Sequence, residues 1–326
     1  MSSSLGELPK FERRGLVIDP TALMRPPLSY PHDDAIFSSM IDAKAYFAQA
    51  IGKFYLYFGP HDGPGGVFLA YADALEGPWT VCDADESDAD LDPVIGRHWE
   101  GHYSVSHVAS PHALWIPEEQ KMFLWFHGEN NVTRYASTTD GIHFQYEGVA
   151  VTADDFNDNV EASYARVFRE AIPSKNAKYV LLLMGNQSGT RPIFLAWSPD
   201  ARRWTTQRDP MLVPHGASEH SPQISSPHLL RWEGRKYVVY HQNSLGADPP
   251  PGVIWATPVT DDFVQAGKPR ALFEPLPVED ANHVWAPSFI ADGDALYMFY
   301  DSGPRLNCKI RCASTPLPSS SAETKQ

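Results

Sequence analysis

Asp33, Asp34 and Glu161 each stand just ahead of a short apolar run. A carboxylate that activates water and a carboxylic acid that protonates a leaving group make a general acid–base pair. Asp33 or Asp34 is the candidate base and Glu161 the candidate acid, with Glu129 and Asp62 as alternates. Glu161 precedes Ala162-Ser-Tyr164, a setting that buries an acid in part and raises its pKa. Histidines supply a second chemistry, since imidazole exchanges protons near neutral pH. His61, His107, His112, His127, His228 and His241 are the candidates, with His112 as a further catalytic residue. Arginines supply a third. Arg134, Arg166, Arg191 and Arg305 belong to a chain with few basic residues, and a guanidinium pairs bidentately with carboxylate, sulfate or phosphate. Tyr164, Asn186 and Asp301 complete the set of expected binding residues.

The elements that must position these groups repeat along the chain. Five phrases run from apolar into aromatic residues and then into small or polar ones: Lys53–Gly59, Lys121–Gly128, Lys178–Gly185, Lys236–His241 and Ala295–Gly303. Each has a forerunner: Phe37–Ile41, Ser110–Leu114, Ala162–Val167, Ser226–Leu230 and Ala286–Ile290. A third apolar run follows most copies, and Gly77–Thr80, Ile142–Phe144 and Arg203–Thr205 suggest a fourth strand. Three or four short strands per repeat predict an all-β, single-domain, five-bladed β-propeller. The expected boundaries are an extension over residues 1–29 packing on the propeller, blades over 30–315, and a disordered polar tail over 316–326. In a propeller, the starts of the inner strands and the loops after the second strands share one face. The candidates named above cluster in those two places. The deepest pocket is therefore expected on the face bearing His61, His127, Asn186, His241 and Asp301, while Pro117–Lys121 on the other face reads as a solvated turn.

The formal net charge of −14 argues against nucleic acid and against an anionic membrane surface. No apolar stretch approaches the roughly 20 residues of a membrane span, and the N-terminus has no apolar signal core, so the expected location is cytoplasmic. Cys82, Cys308 and Cys312 suit a reducing compartment and carry no expected chemistry. No phosphate-binding glycine loop or nucleophile elbow is present.

The strand endings carry a resemblance. Leu69–Trp79, with its Gly-Pro-Trp close, resembles strand endings of family 43 glycoside hydrolases, and Ser137–Phe144 and Ser198–Trp204 resemble endings found across the five-bladed glycosidase superfamily, families 43, 32 and 117 among them. That resemblance implies the propeller and a glycoside hydrolase, exo-acting on a small oligosaccharide; the arginines add a uronate or sulfated residue to the expected substrate. It departs at the site: Ser110-Pro-His112 stands where the family 43 second-blade acid is expected, and only Glu161 matches the third-blade acid, so no single family is assigned. A histidine acid, thought to serve in family 117, is the analogous role for His112. The alternatives are a uronate oligosaccharide lyase, with a His or Tyr base and arginine neutralising the carboxylate, and a non-catalytic carbohydrate-binding propeller. No cofactor is expected; the alternative is a divalent metal in the central channel, by analogy with family 43 members that hold calcium beside a histidine. The oligomeric state is left open.

Overall fold

A computed structural model describes residues 6–23, 34–61, 65–84, 91–216, 223–243 and 252–318. Five four-stranded antiparallel sheets form the blades. Their inner strands are Ile36–Asp42, Ala109–Ile116, Ser163–Ile172, Ile224–Trp232 and Val284–Asp292. The second strands are Phe54–Gly59, Lys121–His127, Ala177–Met184, Arg235–Asn243 and Ala295–Ser302.

The repeated aromatic phrases are these second strands, and their composition follows from their position. Each is sandwiched between the two neighbouring blades, so both of its faces are buried and both are apolar. In the first blade Phe54, Leu56 and Phe58 enter a core shared with Phe299 and Ile310 of the fifth. The alternate residues Tyr55 and Tyr57 enter a core shared with Leu124 and Phe126 of the second. The same alternation builds the remaining inter-blade cores around Trp125 and Leu181, Leu182 and Val238, and Val239 and Met298. Each large side chain buried in this way contributes about 1.5–3 kcal/mol.

The outer strands turn on a recurring device. Asp140 Oδ1 accepts the backbone N–H groups of Ile142 and His143, both at 2.8 Å, and the Thr138 hydroxyl at 2.9 Å. Asp200 Oδ1 does the same for Arg202, Arg203 and Ser198. These hydrogen bonds outweigh partial burial and hold both carboxyls down at about 2. In each turn a left-handed residue follows the aspartate, Gly141 at φ 81° and Ala201 at φ 60°. Two of the strand endings that carry the sequence resemblance, Ser137–Phe144 and Ser198–Trp204, therefore close in turns.

The fifth blade closes the ring with both ends of the chain. Glu12–Ile18 pairs antiparallel with Lys309–Pro316 as the outermost strand of that blade. The segment expected as an N-terminal extension thus supplies a strand; the tail beyond residue 318 lies outside the described residues.

All five inner strands carry the same irregularity near their start. The pairing register slips between Ile36 and Ser39, Ala109 and His112, Ser163 and Arg166, Ser225 and His228, and Trp285 and Ser288. At each slip one non-glycine residue is left-handed: Phe37, Ser110, Tyr164, Ser226 and Ala286, with φ between 40° and 62°. Such a residue costs about 1–3 kcal/mol and persists only where its surroundings fix it. Bulges of this kind redirect side chains and gather beside binding sites.

Candidate active site at the mouth of the propeller

The ring of bulges marks the mouth and sorts the candidates. The residue facing each pre-bulge position across the ladder is Gly59, His127, Met184, His241 or Asp301. Three of these reach over to the next blade and hold its bulge. Asp301 Oδ2 accepts the Phe37 N–H at 2.9 Å, His241 Nδ1 accepts the Ala286 N–H at 3.2 Å, and His127 Nδ1 accepts the Tyr164 N–H at 3.5 Å. Burial depresses both histidines, His241 to about 3 and His127 well below its ordinary value. They are neutral at pH 7. With Nδ1 accepting, the ring proton sits on Nε2, so each can donate to a ligand and neither can serve there as a base through Nε2.

Two candidate carboxyls sit at strand starts in the first and third blades. Asp34 is buried; its oxygens accept the His61 N–H at 2.9 Å and the Cys308 N–H at 2.8 Å. Burial raises its pKa against those bonds. Glu161 is 3% exposed, accepts the Ser163 hydroxyl at 2.7 Å, and lies 3.2 Å from Arg191 Nε. Burial raises it too, against Ser163 and Arg191. Asp301 is the third carboxyl, fully enclosed and pushed well up by burial, with the Asp34 charge adding to the effect. Asp33 and Asp62 lie outside the described residues.

The arginines are largely engaged with protein groups. Arg191 holds Glu161 and also donates to Gln223 Oε1 at 3.2 Å. Arg134 donates to the Gly128 carbonyl and lies over the Tyr103 ring. Arg166 is completely buried and donates to the Pro111 carbonyl. Arg305 is at the exposed rim, its Nη2 3.5 Å from His61 Nδ1. At the rim too, Glu129 accepts the Ser106 N–H at 2.8 Å and His107 Nε2 meets Asn130 Oδ1 at 3.0 Å. Asn186 is used within its own loop, where its Oδ1 accepts the Gly189 N–H.

Two of the expected mouth histidines are elsewhere. His112 and His228 stand two residues beyond their bulges and line a cavity of about 640 Å³ that opens on the opposite face, among Asp42, Pro117, Glu170, Arg231 and Asp292. His112 Nδ1 accepts the Val167 N–H at 3.0 Å, and burial depresses both rings. Among the described residues, the face opposite the mouth thus carries a cavity that the sequence reading did not anticipate. Phe37 meets the Tyr164 ring edge-on at 4.9 Å and packs with Met184, Ala109 and Ala286 in one buried cluster, a plug at the level of the bulges. The Pro117–Lys121 turn also departs from its reading as merely solvated, because Glu119 clamps Arg202 at 2.6 Å.

Sequence reasoning missed the bulge ring and the Cys308 N–H that holds Asp34. Ser110-Pro and Ser226-Pro were its visible trace, a proline fixed just past the left-handed residue. Among the described residues no group of three or more His, Cys, Asp or Glu is placed to hold a metal ion. No helix among them is long and apolar enough to cross a membrane.

No protein-family model and no curated protein sequence matches the chain. Solved structures do. A glycoside hydrolase matches with a TM-score of 0.68 at 15% identity, over 98% of this chain and 95% of that one. A glycosyl hydrolase from Bacteroides ovatus matches at 0.61 and 13%, over 96% and 97%. The catalytic domain of the Coprinopsis cinerea GH62 alpha-L-arabinofuranosidase matches at 0.58 and 11%, over 95% and 98%. The fold of this chain is the five-bladed β-propeller that those glycoside hydrolases share.

Proposed function

We propose that the protein is a glycoside hydrolase, exo-acting on a small oligosaccharide, with Glu161 as proton donor and Asp34 as the second carboxylate. The observation that carries this reading is the pair itself. Two nearly inaccessible carboxyls start the inner strands of the first and third blades, each fixed by short hydrogen bonds. Hydrolysis of a glycosidic bond uses two such groups. Burial keeps Glu161 protonated further toward neutral pH, as a donor requires. Burial raises Asp34 as well; the two backbone N–H groups on its oxygens oppose that rise and so favour the ionised form that a base or nucleophile requires. Asp33 stays the alternative to Asp34. The plug under the mouth leaves a blind end, which suits removal of a terminal residue.

Ligand hydroxyls would meet the Nε2–H groups of His127 and His241, and Arg305 and the outer edge of Arg191 are the groups that would favour a uronate or sulfated sugar. A lyase is the second reading, supported by Tyr164, whose ring lies 5.1 Å from that of His127. The tautomers of His127 and His241 leave Tyr164 as its base.

The test is a panel of neutral, uronate and sulfated oligosaccharides digested in isotopically labelled water. Label at the new reducing end supports hydrolysis. An unsaturated product absorbing in the ultraviolet, without label, replaces it with elimination. Binding without any product leaves a carbohydrate-binding propeller.

A further inference from the structure

Beyond the bulges the inner strands resume their pairing, and alternate residues of each face the same way. The first paired positions after the bulge include Ser39, His112, His228 and Ser288, and all four line the cavity of the lower face. In the third blade that position is Arg166, which is fully enclosed. Two residues further on stand Ile41, Leu114, Phe168, Leu230 and Ile290, all apolar and all in the lining. The charged groups at the opening are matched by the protein: Arg231 by Glu170, Asp292 by Lys53 at 2.7 Å, Arg169 by Glu118 at 3.6 Å, and Asp42 by the Ala45 N–H. The cavity therefore grades from a polar floor through an apolar wall to a charge-matched rim.

The two imidazoles of the floor are opposite tautomers. His112 Nδ1 accepts the Val167 N–H at 3.0 Å, so the proton of the neutral ring is on Nε2. His228 Nδ1 lies 3.0 Å from the Leu229 carbonyl, which only accepts, so its proton is on Nδ1 and Nε2 keeps a lone pair. Burial keeps both rings neutral at pH 7, His228 depressed to about 3. Their centres are 5.9 Å apart, and each packs on Phe168. Because each Nδ1 is engaged by the backbone, Nε2 is the atom each ring can offer to the cavity it lines. The floor thus presents one donor and one acceptor side by side.

That pair selects a head group. A carboxylate or phosphate has no proton for His228 Nε2. An ammonium has no lone pair for His112, and it would add charge near Arg166, which already acts electrostatically on both rings. A hydroxyl both accepts and donates. Water does so too, but leaves the apolar wall wet. An alcohol displaces that water, reproduces its hydrogen bonds and covers the wall.

We propose that the lower cavity is a binding site for an uncharged small molecule with an apolar body and one hydroxyl, which accepts from His112 Nε2–H and donates to His228 Nε2 while the body packs on the wall of Ile41, Leu114, Phe168, Leu230 and Ile290. The volume of about 640 Å³ falls within the roughly 300–1,000 Å³ usual for small-molecule sites. The site opens on the face opposite the mouth and does not rest on the reading of Asp34 and Glu161.

The intact protein is titrated by calorimetry at pH 7 with 2-naphthol, with 2-methoxynaphthalene, which cannot donate, and with 2-naphthoate, which is anionic and cannot donate. 2-Naphthol should bind once per chain, and each analogue about tenfold or more weakly, because it leaves a buried ring nitrogen unpaired. His228→Phe should erase the preference for 2-naphthol over 2-methoxynaphthalene. If that variant does not fold, Leu114→Lys, at a partly exposed wall position, should weaken 2-naphthol by placing a charge on the wall while leaving both imidazoles intact. Crystals soaked in 2-naphthol should show its oxygen between the two Nε2 atoms. Absence of binding, equal affinity for 2-naphthol and 2-methoxynaphthalene, tighter binding of 2-naphthoate, or 2-naphthol seated only at the mouth overturns the proposal.

Discussion

Glu161 is held by the Ser163 hydroxyl and by Arg191, which Gln223 also holds, so an amide in its place can keep both neighbours. Glu161→Gln therefore keeps the shape of the mouth and loses the transferable proton. The expected result is a fall in kcat of about 10²-fold or more with Tm nearly unchanged; turnover close to wild type removes Glu161 from the mechanism. Asp301 permits a different test, because its carboxyl is raised by burial. Its folded pKa lies above the unfolded value of 3.8, so the stability it contributes is complete below that value and declines as pH rises through the folded pKa. The buried histidines act in the opposite sense: their folded pKa values are depressed, and the stability they contribute is lost as pH falls below about 6.5. Comparing wild type with Asp301→Asn cancels the histidines. Wild type should lose stability relative to the variant as pH rises from acid toward neutral, by at most about 1.4 kcal/mol per pH unit for one proton. Parallel pH profiles would mean that Asp301 titrates normally.

At the scale of elements, the bulge ring explains why the mouth was only half legible. Residues at the start of the inner strands were visible from polarity alone, and the strand starts fall within two residues of where the apolar runs place them. What polarity cannot show is which way a side chain turns after a bulge. One slipped residue changes the facing of everything beyond it, and that is how His112 and His228 pass to the lower cavity while Arg166 becomes enclosed. Pairings between blades are equally hidden: Arg191 with Glu161, and Cys308 with Asp34, join residues far apart in sequence. The fold was more legible because each second strand is apolar on both faces, a pattern repeated in every blade. The bulges also predict a stability hierarchy at one register position. His241→Phe keeps a ring but leaves the buried Ala286 N–H without its acceptor, at a cost of about 1–3 kcal/mol. Met184→Leu, at the equivalent place, exchanges one apolar side chain for another and should cost less than about 1.5 kcal/mol. Urea unfolding of the two variants gives the comparison; equal losses would show that the imidazole acts there only as packing.

At the scale of the molecule, the ring has one seam, and it lies in the fifth blade. Three of that blade's strands come from the C-terminal part of the chain and the fourth, Glu12–Ile18, from the N-terminal part. Arg13 reaches from this strand to Asp280 at 2.7 Å and lies over the Phe273 ring, so it also ties the seam to the fourth blade. Arg14 donates to Ser314 within the blade, and Lys309 pairs with Asp19 just beyond the strand. Removing residues 1–18 would strip the pairing from Lys309–Pro316, turn that strand into an exposed edge, and leave Asp280 buried without its arginine. An unpaired strand edge invites association with other chains, and a buried carboxylate deprived of its partner is strongly destabilising. Because every inter-blade core is shared by two neighbours, a loosened fifth blade weakens the cores on both of its sides. The expected outcome is a truncated chain with a much lower Tm and a tendency to aggregate, although it keeps Asp34, Glu161 and every other described mouth residue. Arg13→Met is the milder companion, breaking only the link to Asp280, and should lower stability without aggregation. If the truncated chain unfolds at the wild-type temperature as a monomer, the N-terminal strand is an accessory and ring closure rests on the inter-blade cores alone.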